Sequence, residues 1–304
     1  VTRGTKLSLA AVAAVLVIAA AIVGVLLLTG GDDPGDRPVL AIKIDNVAAA
    51  RPQTGLGSAD VIYCEPAEGG LTRLAAVYTT EVPEVAGPVR SARETDLELL
   101  SQYGSPALAF SGAAPELDPL LRDAPLLDVS PGPESGAYFR DGSRRAPHNL
   151  YVRPRELPEG SGRGADQVLR FAPAPSGGTP VTEHTVRYPA ASLRFEWDRQ
   201  AGRWLVELNG TPLVSTEAGQ LRAATVVVQH VTTRPGVAVR DAAGAPSPVL
   251  DTVGNGDATV LRDGRSFDAE WSRSDPDDGT SFTTGSGQAL PLAEGPVWIL
   301  LVRD

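Results

Sequence analysis

The sequence predicts an α+β protein in three parts: an N-terminal membrane helix, a layered α/β N-terminal domain and a mostly antiparallel β C-terminal domain. Three observations predict it. Residues 7–28 are apolar throughout. Residues 37–154 mix strand-like and helix-like runs. Beyond residue 180 only short alternating strands remain, separated by Gly, Asn and Asp turns.

Residues 7–28, bounded by Leu7 and Leu28, read LSLAAVAAVLVIAAAIVGVLLL without a charge or a proline. As a helix they extend roughly 33 Å, enough to cross a bilayer. Arg3 and Lys6 precede the stretch, and Asp32, Asp33 and Asp36 follow it. The positive-inside rule therefore keeps the short tail in the cytoplasm and exports the rest. A cleaved signal peptide has a shorter apolar region, of about 7–15 residues, and no A-x-A pattern follows Leu28. An uncleaved anchor is the expectation, with secretion as its alternative. Residues 1–36 thus supply tail, anchor and tether, and the protein is expected at the cell membrane as a single-pass protein with its C-terminal part extracytoplasmic.

The α/β domain spans 37–154. Its strand-type runs are 38–44 (PVLAIKI), 60–64, 74–78 and 106–111. Residues 91–103 (SARETDLELLSQY) place Leu97, Leu100 and Tyr103 on one helical face, with Ser91 in the N-cap position. A short helix is expected over 115–122. Residues 155–180 are dominated by Gly, Pro, Ala and Ser and mark a connection. In the β-rich domain, 181–304, LRFEW and RWLVEL alternate apolar and polar residues around a turn, the signature of a hairpin. Strands follow at 225–229, at 258–261 and 266–271 around Arg262-Asp263-Gly264, and at 297–302.

Composition narrows the function. With 27 basic against 37 acidic residues the chain carries a net charge of −10, which argues against nucleic acid as a partner. An anion would need a local basic pocket. The single cysteine, Cys64, lies in the apolar run VIYC and excludes both an internal disulfide framework and a multi-cysteine zinc site. No histidine pair stands at metal-ligand spacing, so neither a metal nor a cofactor is expected.

The polar residues of the first domain gather at strand ends. Asp45 and Asn46 follow the first strand, then Arg51 and Gln53; Glu68 and Arg73 follow the second; Arg90 and Arg93 lead into the helix; Arg144, His148 and Asn149 close the domain. Ligands in layered folds commonly bind beyond strand ends, and planar guanidinium groups suit phosphate or carboxylate. The competing reading pairs these arginines with Asp45, Glu68, Glu94 and Asp141 in structural salt bridges. His148 is a candidate general base or a turn residue bonded to backbone. No phosphate-binding loop and no G-x-S-x-G elbow occurs.

The same segments carry a resemblance. IDN with RPQTGL, ADVIY followed by EGGLTR, GPVRSARE, and FRDGSRRAPHNLY stand in the order found in the YerB-like family of bacterial lipoproteins (domain of unknown function 3048). TVVVQ and the segment ending in EWSR resemble that family's C-terminal domain. The resemblance covers nearly everything from Pro38 onward and implies an exported, membrane-attached, two-domain protein without an assigned activity. Two departures stand out. Family members often carry a lipobox cysteine, which is missing here. Many have a carboxylate directly after the aromatic residue of the second strand, where this chain has Cys64 and then Glu65.

The expected function is a cell-envelope protein binding an anionic or polar ligand through the arginine-rich loops. One alternative is an envelope hydrolase or transferase acting on a cell-wall glycan or lipid-linked phosphate, with Asp45, Glu68 and Asp141 as carboxylates and His148 as acid–base. Another is a scaffold docking an envelope protein partner.

Overall fold

The continuous apolar runs of both halves become strands of one mixed sheet in the computed structural model, which describes residues 37–132, 136–234, 236–237 and 249–304. In chain order its longer strands are β1 (Leu40–Asp45), β2 (Val61–Pro66), β3 (Thr72–Tyr78) and β4 (Ala107–Ala109). A separate antiparallel set follows: β5 (Glu183–Tyr188), β6 (Ala191–Asp198) and β7 (Arg203–Leu208). The main sheet resumes with β8 (Thr225–Val231), β9 (Gly254–Arg262), β10 (Arg265–Arg273) and β11 (Val297–Arg303). Its order runs β10, β9, β8, β11, β2, β3, β1, β4, extended at both edges by two-residue strands. β11 lies parallel to both β8 and β2 and so joins the two halves of the chain.

Strands β1, β2 and β3 are buried along their whole length, which requires cover on both faces. One cover is the β5–β7 sheet. Leu193, Phe195, Trp204 and Val206 share a core with Ile42, Ile62, Leu74 and Trp298, and the Phe195 and Trp298 rings meet edge to face at 6.1 Å. The other cover includes two short helices, α1 (Glu94–Ser101) and α2 (Asp118–Asp123). Leu99, Leu100 and Leu121 pack there with Ala41, Tyr63 and Val77. The β9–β10 hairpin turns on Asp263 and Gly264, both at positive φ (53° and 70°). That left-handed pair is what a two-residue hairpin loop demands.

This architecture corrects the expected fold class. The chain is mostly β, with strands at 45% and helices at 13%, and there is no layered α/β half. The strands of the first half are as apolar as those of an α/β sheet because a second sheet, not a helix layer, covers one of their faces. The helix expected over 91–103 is shorter for a specific reason. Arg90 N–H donates to the Lys43 carbonyl and Ala92 N–H to that of Gly112, at 2.8 and 3.1 Å, which holds 90–92 extended beside β1. Arg93, not Ser91, then takes the N-cap position, and its N–H donates to Asp96 Oδ2 at 2.6 Å. The expected membrane segment, residues 7–28, lies outside the described residues. Among the described residues no helix is long and apolar enough to cross a membrane.

Candidate functional site

Strand periodicity builds the site. On β1, β2 and β3 alternate side chains face opposite ways. Ile42, Ile44, Cys64 and Leu74 enter the core beneath the β5–β7 sheet. Lys43, Asp45, Glu65 and Arg73 occupy the other parity, toward α1, and all four are buried. Asp45 and Glu65 each stand opposite Arg73 across the strand ladder. Charge buried on this scale persists only where it is paired.

Asp45 is the hub, with no exposed surface. Its Oδ2 lies 2.7 Å from His148 Nδ1 and 3.4 Å from Arg90 Nε, and its Oδ1 lies 3.4 Å from Arg73 Nη1. Val47 N–H also donates to Oδ1, at 3.4 Å. Beside it Arg93 grips Glu68 through two nearly parallel hydrogen bonds of 2.5 and 2.9 Å. Burial holds the Arg73 guanidinium below its ordinary value. Asp45 pulls the other way, while Arg90 and Arg93 add to the lowering.

Arg73 Nε is buried without a hydrogen-bond acceptor, and Arg90 Nε, also buried, has only the 3.4 Å approach of Asp45 Oδ2. Arg73 is 6% exposed. The guanidinium of Arg90 has Asp45 as its only ion-pair partner among the described residues, and its side chain is 26% exposed. His148, at 22% exposed, is bonded through Nδ1. The cluster thus meets solvent at Arg90 and His148.

The remaining candidates brace this group. Asn46 donates to Thr72 Oγ1 at 2.8 Å; Gln53 donates to Asn46 Oδ1 and to the Asp45 carbonyl. Arg144 clamps the 48–52 turn by donating to the carbonyls of Ala50 and Pro52. Asn149 closes the His148 loop, accepting from Arg140 and donating to the carbonyls of Asp141 and Arg144. Among the described residues the Arg51 side chain reaches the Val47 carbonyl alone, at 3.5 Å, and does not join the Asp45 cluster. Asp141 is turned to its own loop, accepting from Ser143 and facing Arg144. Among the described residues no three His, Cys, Asp or Glu side chains are grouped to hold a metal ion.

The sequence reading passed over a second cluster directly beneath. Lys43 Nζ lies 2.9 Å from Glu65 Oε1 and 2.6 Å from Asp96 Oδ1, and all three side chains are sealed from solvent. Burial works against the Lys43 charge, but Asp96 and then Glu65 outweigh it and raise its pKa. The Glu65 carboxyl is raised as well, by burial first and then by the Asp96 carboxylate, against the pull of Lys43. The sequence held a signal for this. In the run Ile42-Lys43-Ile44-Asp45, period two puts Lys43 on the same face as Asp45. The same rule shows why Cys64 is not the carboxylate's replacement: Cys64 faces the apolar core, and Glu65 faces Lys43.

Fold and site together define a mostly β protein whose loop motifs converge on one buried aspartate ringed by arginine and histidine. The chain belongs to the family described as "Protein of unknown function (DUF3048)": the N-terminal domain model matches residues 28–165 and the C-terminal domain model residues 184–299. It is similar to the protein titled "Putative lipoprotein YerB" from Bacillus subtilis (strain 168), with 25% identity over 295 residues, 88% of this chain and 82% of that one. The crystal structure of YerB from Bacillus subtilis shares the fold, with a TM-score of 0.72, 20% identity and coverage of 91% of this chain and 94% of the other.

Proposed function

We propose that this chain is a membrane-associated, extracytoplasmic envelope protein that binds an anionic envelope ligand at the Asp45–His148–arginine cluster. The observation that carries the reading is a charge imbalance. Arg73, Arg90 and Arg93 bring three positive charges to a place where Asp45 and Glu68 supply two negative ones. Arg90, loosely held at 3.4 Å and partly exposed, is the donor with capacity to spare. In an acidic chain such a local excess is what anion binding requires. The location rests on the charge-free stretch 7–28 with its flanking charges and on the lipoprotein title of the Bacillus relative.

The test is thermal unfolding of the full chain in detergent, with and without anionic envelope polymers and their neutral counterparts. A ligand at about 100 times its Kd adds roughly 2.7 kcal/mol, or a Tm rise of about 5–10 °C for a domain of this size. The rise should appear with anionic compounds only and vanish in Arg90→Ala. A rise that persists in Arg90→Ala refutes the site.

One observation favours a second reading, an envelope hydrolase or transferase. The 2.7 Å bond from Asp45 to His148 Nδ1 fixes that ring as a general base would be fixed. Turnover of a wall glycan or phosphate ester that is lost in His148→Ala would establish it; unchanged turnover would exclude His148 as the base.

A further inference from the structure

Residues 138–155 gather positive charge in an acidic chain. Arg140, Arg144, Arg145, Arg153 and Arg155 stand there against Asp141 alone, although the whole chain carries −10. Two short strands, Tyr138–Arg140 and Leu150–Val152, pair antiparallel and hold them. Leu150 and Val152 turn into the core. The opposite face bears Phe139, half-buried, and Tyr151, a cross-strand pair whose rings lie 5.9 Å apart at 25°. Arg153 covers the Phe139 ring at 4.5 Å, and Arg144 lies 5.8 Å from the Tyr151 ring. Stacking of this kind fixes a guanidinium plane and leaves its N–H edge for an acceptor. Arg144 directs that edge to the 48–52 turn. Arg153 has only contacts of 3.4 Å to the Gly136 carbonyl and 3.9 Å to Glu156, and its side chain is 42% exposed. Arg145 and Arg155 are exposed and have no ion-pair partner among the described residues.

The base of this hairpin lies where the described part of the chain begins. Val39 N–H donates to the Gly160 carbonyl at 3.2 Å, and Pro38, Val39, Pro154 and Arg155 line one cavity of about 270 Å³. Residues 29–36 separate Arg37 from the apolar stretch 7–28, and eight residues span at most roughly 30 Å. A surface beside so short a connection stays near whatever holds the apolar stretch. We propose, on the basis of the membrane-associated reading above, that the Arg145, Arg153 and Arg155 face of this hairpin docks on the anionic phospholipid surface of that same membrane. Aromatic rings interleaved with arginine suit the headgroup layer, and each arginine at an anionic surface adds roughly fivefold in affinity. A wall polymer would match the charge, but the short connection places lipid headgroups nearer.

The experiment is arginine modification with phenylglyoxal, followed site by site by mass spectrometry, on the full chain reconstituted into nanodiscs. Phosphatidylcholine discs are compared with discs that also contain phosphatidylglycerol, at low and at high salt. Anionic discs should slow modification of Arg145, Arg153 and Arg155 by about fivefold or more, and high salt should restore the rates. Arg187 on β5 and Arg199 in the β6–β7 turn, both exposed, should react alike in all conditions. Arg145→Glu combined with Arg155→Glu should abolish the slowing at Arg153. The thermal unfolding midpoint should stay near that of the wild type, since neither side chain has an ion-pair partner to lose. Equal rates in the two kinds of disc, or slowing that extends equally to Arg187 and Arg199, overturn the docking; a chain that nevertheless stays with the discs leaves the membrane reading standing. A chain that separates from both kinds of disc when detergent is removed overturns both. Slowing by soluble poly(glycerol phosphate) added to neutral discs, without slowing by anionic lipid, assigns the face to a wall polymer and overturns the lipid assignment.

Discussion

Replacing Lys43 by Met, and separately Glu65 by Gln, tests the buried cluster on which the site rests. Lys43, Glu65 and Asp96 put one ammonium between two carboxyl groups, and Asp96 also accepts from Arg93 N–H. With both carboxyls ionised the cluster carries a net −1 in a region without solvent. Burial raises the Glu65 pKa, and Asp96 raises it further. A proton held by Glu65 relieves that charge, while Asp96 Oδ1 keeps its 2.6 Å contact with Lys43. Gln reproduces a protonated glutamic acid: its oxygen accepts from Lys43 and its N–H₂ donates where the acid's O–H would. Glu65→Gln should therefore cost less than about 1 kcal/mol at neutral pH. Lys43→Met strands the carboxylates and should cost about 3–5 kcal/mol, a large share of the 5–15 kcal/mol typical of a whole domain. The assay is urea unfolding at several pH values. In the unfolded chain Glu65 ionises near 4.5, while the native state keeps its proton to higher pH. In the window above 4.5 the native state binds more protons, so its stability falls as pH rises, by up to about 1.4 kcal/mol per pH unit. Glu65→Gln should remove that part of the slope. If Glu65→Gln costs as much as Lys43→Met, or leaves the slope between about pH 5 and about pH 7 unchanged, Glu65 is ionised in the fold and the proton on Glu65 is refuted.

Further outcomes follow from the contacts and burial of particular side chains. Arg93→Ala breaks the bidentate pair with buried Glu68 and should cost about 3 kcal/mol. Arg90→Ala removes only a 3.4 Å contact and should cost less than about 1 kcal/mol; equal urea midpoints for the two variants would contradict this division of labour. Glu217→Gln should destabilise by about 1–3 kcal/mol, because the Glu217 carboxylate accepts from Gly55 N–H, Gly57 N–H and Ser215 Oγ. Burial opposes its charge, but these bonds outweigh burial and lower its pKa. Its stabilisation is present above 4.5 and lost as pH falls through the lowered value, so the variant's deficit should shrink in acid. Burial pushes the Cys64 thiol up to about 12, so a thiol reagent should label it only on unfolding; rapid labelling of the native chain would show that β2 opens locally.

The strand-end motifs stood out in the sequence as polar residues beside Gly and Pro between apolar runs, a pattern that turns and ligand sites share. Asp45, Arg73, Arg90 and His148 meet on one carboxylate although they lie up to 103 positions apart. What the sequence concealed was the second cover. A strand such as AIKI reads the same whether helices or another sheet lie over it, so the first half suggested a layered α/β domain. Helix periodicity misled as well: SARETDLELLSQY carries the pattern, but backbone bonds to Lys43 and Gly112 take its first residues away from the helix. Lys43 escaped notice because a lone lysine in a strand is usually an exposed edge residue, and only the pairing of β1 between β3 and β4 turns it inward.

The two clusters are linked through Asp96 and Arg93. Asp96 ties Lys43 to the first turn of α1 by accepting Arg93 N–H, and Arg93 then extends to Glu68 at the edge of the site. The lower cluster acts on position: buried and costly to break, it fixes where α1 begins and hence where Arg93 sits. Asp45 does the same for Arg73, Arg90 and His148 from β1. Such an arrangement keeps guanidinium groups close to one another in the absence of ligand, although they repel, because each is anchored from below by a carboxylate that solvent does not reach. In a chain of net charge −10 the same carboxylates also shape the approach of an anion. Beyond about 10 Å the acidic surface repels it, and that long-range term is screened by salt; at contact the local excess of Arg90 acts at short range, where salt screens it less. Attraction confined to contact distance would select a ligand by the placement of its oxygens rather than by its total charge.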